Sequence, residues 1–119
     1  MYISFKDMPV WKTAMDLAER VFFLTKDLPK QEDYSLTAQL RRSSISISAN
    51  IAEGFGRKHS SDKVKFYHYS RGSLYETLNY LEYGVRVGYF DPNKISELNK
   101  TLQIFAKDLN KLICRIQTP

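Results

Sequence analysis

Apolar residues recur along the chain at alternating steps of three and four, the spacing of one face of an α-helix. The first run is Val10, Ala14, Leu17, Val21, Leu24 and Leu28. Asp7 is placed to cap its start, Pro9 falls in its first turn, and Pro29 stops it. A second run takes in Leu36, Leu40, Ser44, Ile47 and Ile51, with Ser35 as cap and Gly54 or Gly56 as terminator. The third holds Val64, Tyr67, Arg71, Leu74, Leu78, Leu81 and Val85. Asp91-Pro92 then opens a fourth: Ile95, Leu98, Leu102, Phe105, Leu109, Leu112 and Ile116. The pattern predicts helices over about residues 8–28, 35–54, 61–87 and 92–116. One stretch, Ser43-Ser44-Ile45-Ser46-Ile47-Ser48, alternates as a half-buried strand does. The helical spacing around it is longer, so the stretch is assigned to helix, with small residues that let a neighbour approach closely.

Four amphipathic helices joined by short loops can bury their stripes only against each other. The expected fold is all-α, an antiparallel up-down-up-down four-helix bundle occupying residues 1–119 as one domain. Arg71 stands where that bundle wants an apolar side chain. Either its stem snorkels to water, or it forms a buried polar layer with Ser44 and Asp108, which counting from the loops places at its level. The third helix also carries a second stripe, Phe66, Tyr69, Ser73, Glu76, Tyr80 and Tyr83, and the second helix a back face of Ile45, Ala49 and Ala52. Burial against another copy of the chain is the expectation for these faces; a distorted core or a platform for stacking bases are the alternatives.

Charge adds a candidate chemistry. The net charge is +5, with Arg41, Arg42, Arg57, Lys58, Lys63 and Lys65 around the second helix and the following loop. Lys100, Lys107, Lys111 and Arg115 fall on one side of the fourth helix, away from its seam. Such groups suit phosphate contact, although a solvated face explains them too. Arg42 shares the back face with Ile45, so an acidic residue of a neighbouring subunit is as good a partner for it as a phosphate.

Catalysis is not expected. Neither His59 nor His68 has a glutamate three residues earlier, as a di-iron bundle would need, so no metal site is expected. Gly54-Phe55-Gly56 follows a helix and so reads as a terminator, not a phosphate loop. Asn50, Glu53 and Arg57 could share a polar site, but capping or subunit contact accounts for them with fewer assumptions. Cys114, alone and beside the fourth seam, is expected to be packed and fits a reducing compartment. With no membrane-length apolar run and no signal-peptide layout, a cytoplasmic location is expected.

Three segments, FKDMPVWKTAMDLAERVFFLT (5–25), LTAQLRRSSISISANIAEGFGR (36–57) and RGSLYETLNYLEYGVRVGY (71–89), carry a family resemblance. The chain resembles, over roughly residues 5–115, the four-helix bundle proteins encoded in intervening sequences of bacterial 23S ribosomal RNA genes. The matching positions are Leu40, Arg41 and Arg42, then Ala49 to Gly54, Gly56 and Arg57, and finally Arg71, Gly72 and Ser73. The family usually has proline where this chain has Ser48, which implies a straighter second helix here. The resemblance implies a homo-oligomeric ring, typically a pentamer. The fold is also similar to the accessory variability protein of diversity-generating retroelements, a basic pentamer thought to bind nucleic acid. The combined expectation is a non-catalytic accessory protein offering a basic surface to RNA or DNA, with no cofactor and no small-molecule substrate. The alternative is an interaction module for another protein.

Overall fold

The computed structural model describes residues 2–118, and among them it contains four α-helices and no strand. These are α1 (Pro9–Thr25), α2 (Leu36–Gly56), α3 (Ser60–Arg86) and α4 (Pro92–Gln117), with short 3-10 turns at Phe5–Asp7 and Lys30–Glu32. Each helix packs against its neighbours in sequence, and α1 also meets α4. Among the described residues, no helix is long and apolar enough to cross a membrane.

The stripes read from the sequence do turn inward. Val21, Leu40, Ile47, Ile51, Leu74, Leu81 and Leu109 are completely buried, and the other apolar seam residues are buried or half-buried. The serine-rich stretch is helix throughout. Ser43, Ser44, Ile47 and Ser48 face inward while Ile45 points out, a helical division of the residues, not an alternating one. Small side chains bring α2 and α3 together: Ser70 donates its hydroxyl to the Ile47 carbonyl at 2.7 Å, and Thr77 Oγ1 lies 2.8 Å from Ser43 Oγ. Residue numbers thus fall along α3 as they rise along α2. At Ser48, where proline would remove an amide donor, α2 continues unbroken to Gly56.

The helix ends differ from expectation in three places. Asp7 does not cap α1; its carboxylate accepts from the Ser4 amide at 3.2 Å and closes a capping box around the preceding 3-10 turn. Met8 precedes α1 without a side-chain cap, and Pro9, at the first position, has no amide to satisfy. Helix α1 ends at Thr25, three residues early. The Thr25 hydroxyl, buried, reaches the Val21 carbonyl at 2.8 Å and accepts from Arg41 Nε at 2.9 Å. Ser35 makes no side-chain cap bond, whereas Asp91 caps α4 as expected, accepting from the Asn93 amide at 2.9 Å.

After α3 the chain reverses tightly. Gly88 has φ of 88°, the left-handed region, and the amides of Tyr89 and Phe90 both turn back to the Gly84 carbonyl. This folds the Phe90 ring onto the bare backbone of Gly84 and starts α4 beside α3.

Candidate functional site

The basic residues of α2 and its surroundings are largely engaged within the chain. Arg41 is half-buried, bonded to Thr25 and stacked 4.7 Å from the Phe22 ring centroid. Arg42 pairs with the Glu76 carboxylate on α3, and its Nε donates to Gln39 at 3.2 Å. The hydrogen bond to Glu76 raises the already high pKa of Arg42, so the guanidinium stays charged at every relevant pH. Of the two partners considered for Arg42, an acidic residue of a neighbouring subunit and a phosphate, it uses neither here: its acidic partner belongs to the same chain. Arg57 pairs with Glu53 at 3.4 Å and lies 4.5 Å over Phe66. The Lys63 ammonium donates to the carbonyls of Phe55 at 2.8 Å and Gly54 at 3.3 Å, satisfying the end of α2. Lys65 lies 6.0 Å over Tyr69, and Lys58 is exposed.

Helix α4 is different. Lys100, Lys107, Lys111 and Arg115 are all exposed, and none belongs to an ion pair among the described residues. They form a row about 22 Å long, from the rise of 1.5 Å per residue. Asp108 interrupts the field: it lines a cleft of about 290 Å³ together with Lys111 and Arg115.

The second faces of α2 and α3 remain largely uncovered. Ile45 is 57% exposed, Tyr69 49% and Tyr83 51%. Ala49 is also exposed, and Ala52, Phe66, Ser73 and Tyr80 are half-buried. Phe66 and Tyr69 meet edge-to-face at 5.5 Å, and the Tyr80 hydroxyl donates to Glu76 at 3.0 Å. The face is thus aromatic, with the Arg42–Glu76 pair set into it and the Arg57–Glu53 pair over Phe66.

The proposed enclosure of Arg71 does not form. Ser44 is buried, but its hydroxyl donates to the Arg41 carbonyl at 3.2 Å. Arg71 is half-buried and donates to Asn110 Oδ1 at 2.7 Å, with its other terminal nitrogen 3.0 Å from His68 Nδ1. Asp108 is exposed. Asp108 and Asn110 are two positions apart, about 200° around a helix, so counting found the right level and the wrong side. The Arg71 stem lies at the seam and its head escapes across α4.

Two features escaped the sequence reading. Cys114 is exposed instead of packed. Phe22 and Phe23, 43% and 62% exposed, stack edge-to-face at 5.3 Å with Lys26 5.5 Å from both rings. Both are paired aromatics just off a seam, a signal visible in the sequence only as two adjacent phenylalanines. No cluster of three or more metal-ligating side chains occurs among the described residues.

Among solved structures, the chain is similar to a protein of unknown function from the S23 ribosomal protein family of Bacteroides thetaiotaomicron. The two share 22% identity and a TM-score of 0.77, over 87% of this chain and 97% of that one, a likeness of fold. No curated protein matches the chain. The family model described as 23S rRNA-intervening sequence protein matches residues 6–111, nearly the whole of the helical structure, and the chain belongs to that family.

Proposed function

We propose that the four helices form an antiparallel up-down-up-down bundle, that several copies close into a ring, and that the ring presents α4 to RNA or DNA. The protein acts on this reading as a non-catalytic cytoplasmic accessory. The observation that carries it is the row Lys100, Lys107, Lys111 and Arg115, exposed and without ion pairs among the described residues, while most other candidate cations have partners at home. Unpaired cations along a surface hold a polyanion by releasing its counterions, and a ring repeats the row in every subunit. The uncovered aromatic face of α2 and α3 supports assembly, and the pentamer follows the family resemblance.

The test is retardation of structured RNA and duplex DNA across a salt series. Both should bind with similar strength, since no groove-reading or base-stacking element known for sequence recognition is present on α4. Lys107→Gln with Lys111→Gln should flatten the plot of log affinity against log salt by about 1.8 for duplex DNA if both touch phosphate. A second reading, docking of another protein, is favoured by the engagement of Arg41, Arg42 and Arg57 in contacts within the chain. Absence of any retardation at low salt would make it the better one.

A further inference from the structure

One end of the molecule holds a cleft of about 770 Å³ between the start of α1, the junction of α2 with α3, and the end of α4. Met8, Phe55, Leu112 and Ile116 supply apolar area, and among the described residues no carboxylate lines it. Two cations do, Lys63 and Arg115. Lys63 is held in place by the two carbonyls that close α2, which leaves one of its three N–H groups free. Arg115 has no ion pair among the described residues.

The most informative wall residue is Tyr67. It is 2% exposed, and its ring lies against Gly54 so closely that a Cβ there would sit 2.7 Å from Cε1. Burial alone raises its pKa, with no hydrogen-bonding or charged neighbour contributing, so the phenol stays a protonated donor. The hydroxyl makes no hydrogen bond among the described residues, and it is not one of the fully enclosed unpartnered atoms, which are Thr37 Oγ1 and Asn99 Oδ1. Its tip therefore opens into the cleft, beside the two cations and the apolar wall.

We propose that this cleft binds an amphiphilic carboxylate, its head taken by Arg115, Lys63 and the Tyr67 hydroxyl and its aliphatic body laid on Phe55, Leu112, Ile116 and Met8. The site is independent of nucleic-acid contact, although Arg115 stands at the edge of both surfaces. An oxyanion between two cations gains charge-assisted hydrogen bonds, and the adjoining apolar wall gains burial.

Calorimetric titration of the full chain with decanoate, and with decanol as the uncharged control, tests it. Decanoate should bind saturably at one site per chain, and decanol at least tenfold more weakly. Arg115→Gln and Tyr67→Phe should each weaken decanoate about tenfold. Without ligand, Tyr67→Phe should melt close to the wild-type temperature, because it removes a hydroxyl that faces only the cleft. The proposal is overturned if decanoate gives no saturable heat, if decanol binds as well, or if neither substitution changes the affinity. A Tyr67→Phe protein melting well below wild type also overturns it, since the hydroxyl would then have a partner within the protein.

Discussion

Gly84 lacks a side chain because Phe90 occupies the place of one: a Cβ there would lie 2.2 Å from two carbons of the ring. Alanine is the better helix former by about 1 kcal/mol, so the exposed-helix rule predicts a gain. Overpacking costs about 1–3 kcal/mol, and the clash here is with a whole ring that the turn at Gly88 holds in place. Gly84→Ala should therefore lose about 1–2 kcal/mol in urea denaturation, and Phe90→Leu in the same chain should recover part of it. Asp108 teaches the opposite lesson. Its sequence level beside Arg71 suggests a costly buried pair, yet it is exposed and Arg71 bonds to Asn110 instead. Asp108→Ala should stay within about 0.5 kcal/mol of wild type, and a larger loss would restore the buried layer. Level along a helix is legible from counting; the side of the helix is not, because each residue turns by about 100° and a long arginine reaches across several positions.

At the scale of elements, the sequence carries the helices well and their ends less well. Every apolar seam position proposed from the three-four spacing is buried or half-buried, because burial averages over many turns and a single misplaced residue hardly matters. Ends depend on one or two hydrogen bonds. Thr25 could have continued α1, but its hydroxyl bonds back along the helix and serves Arg41, and the chain turns there. Asp91 and Ser35 look equally good as caps in the sequence, and only Asp91 makes the bond. Asp91→Ala should accordingly cost about 1 kcal/mol, while Ser35→Ala should change the thermal midpoint little. Equal losses from the two would mean that the Ser35 side chain caps α2 in solution. The basic surface divides in the same manner. Clustering of cations was visible, but which of them are already paired depends on the acidic and aromatic groups that folding brings opposite, such as Glu76 and Phe66.

For the whole molecule, the deciding question is what covers the second face of α2 and α3. A helix in a bundle needs one apolar stripe, and here Ile45, Tyr69 and Tyr83 leave about half of their surface in water beyond a core that is already closed. Tyrosine on such a face gives large contact area at small entropic cost and keeps its hydroxyl wet in the free chain, which suits association between copies. The Arg42–Glu76 pair lies in the same region, has an exposed arginine and a half-buried glutamate, and contributes little to the stability of one chain. Enclosed by a neighbouring copy it would become a desolvated, directional contact, favouring one register of association over others. The protein should therefore scatter light at several times 13.9 kDa at micromolar concentration. Tyr83→Glu is the discriminating variant. Its side chain is 51% exposed, so a charge there is tolerated by the folded chain but must be desolvated in an assembly. The variant should keep its helical circular dichroism while its mass falls toward that of a single chain. A wild type that is monomeric at these concentrations removes the ring. If wild type and Tyr83→Glu form the same oligomer, the assembly uses another surface and the aromatic face remains free for a different partner.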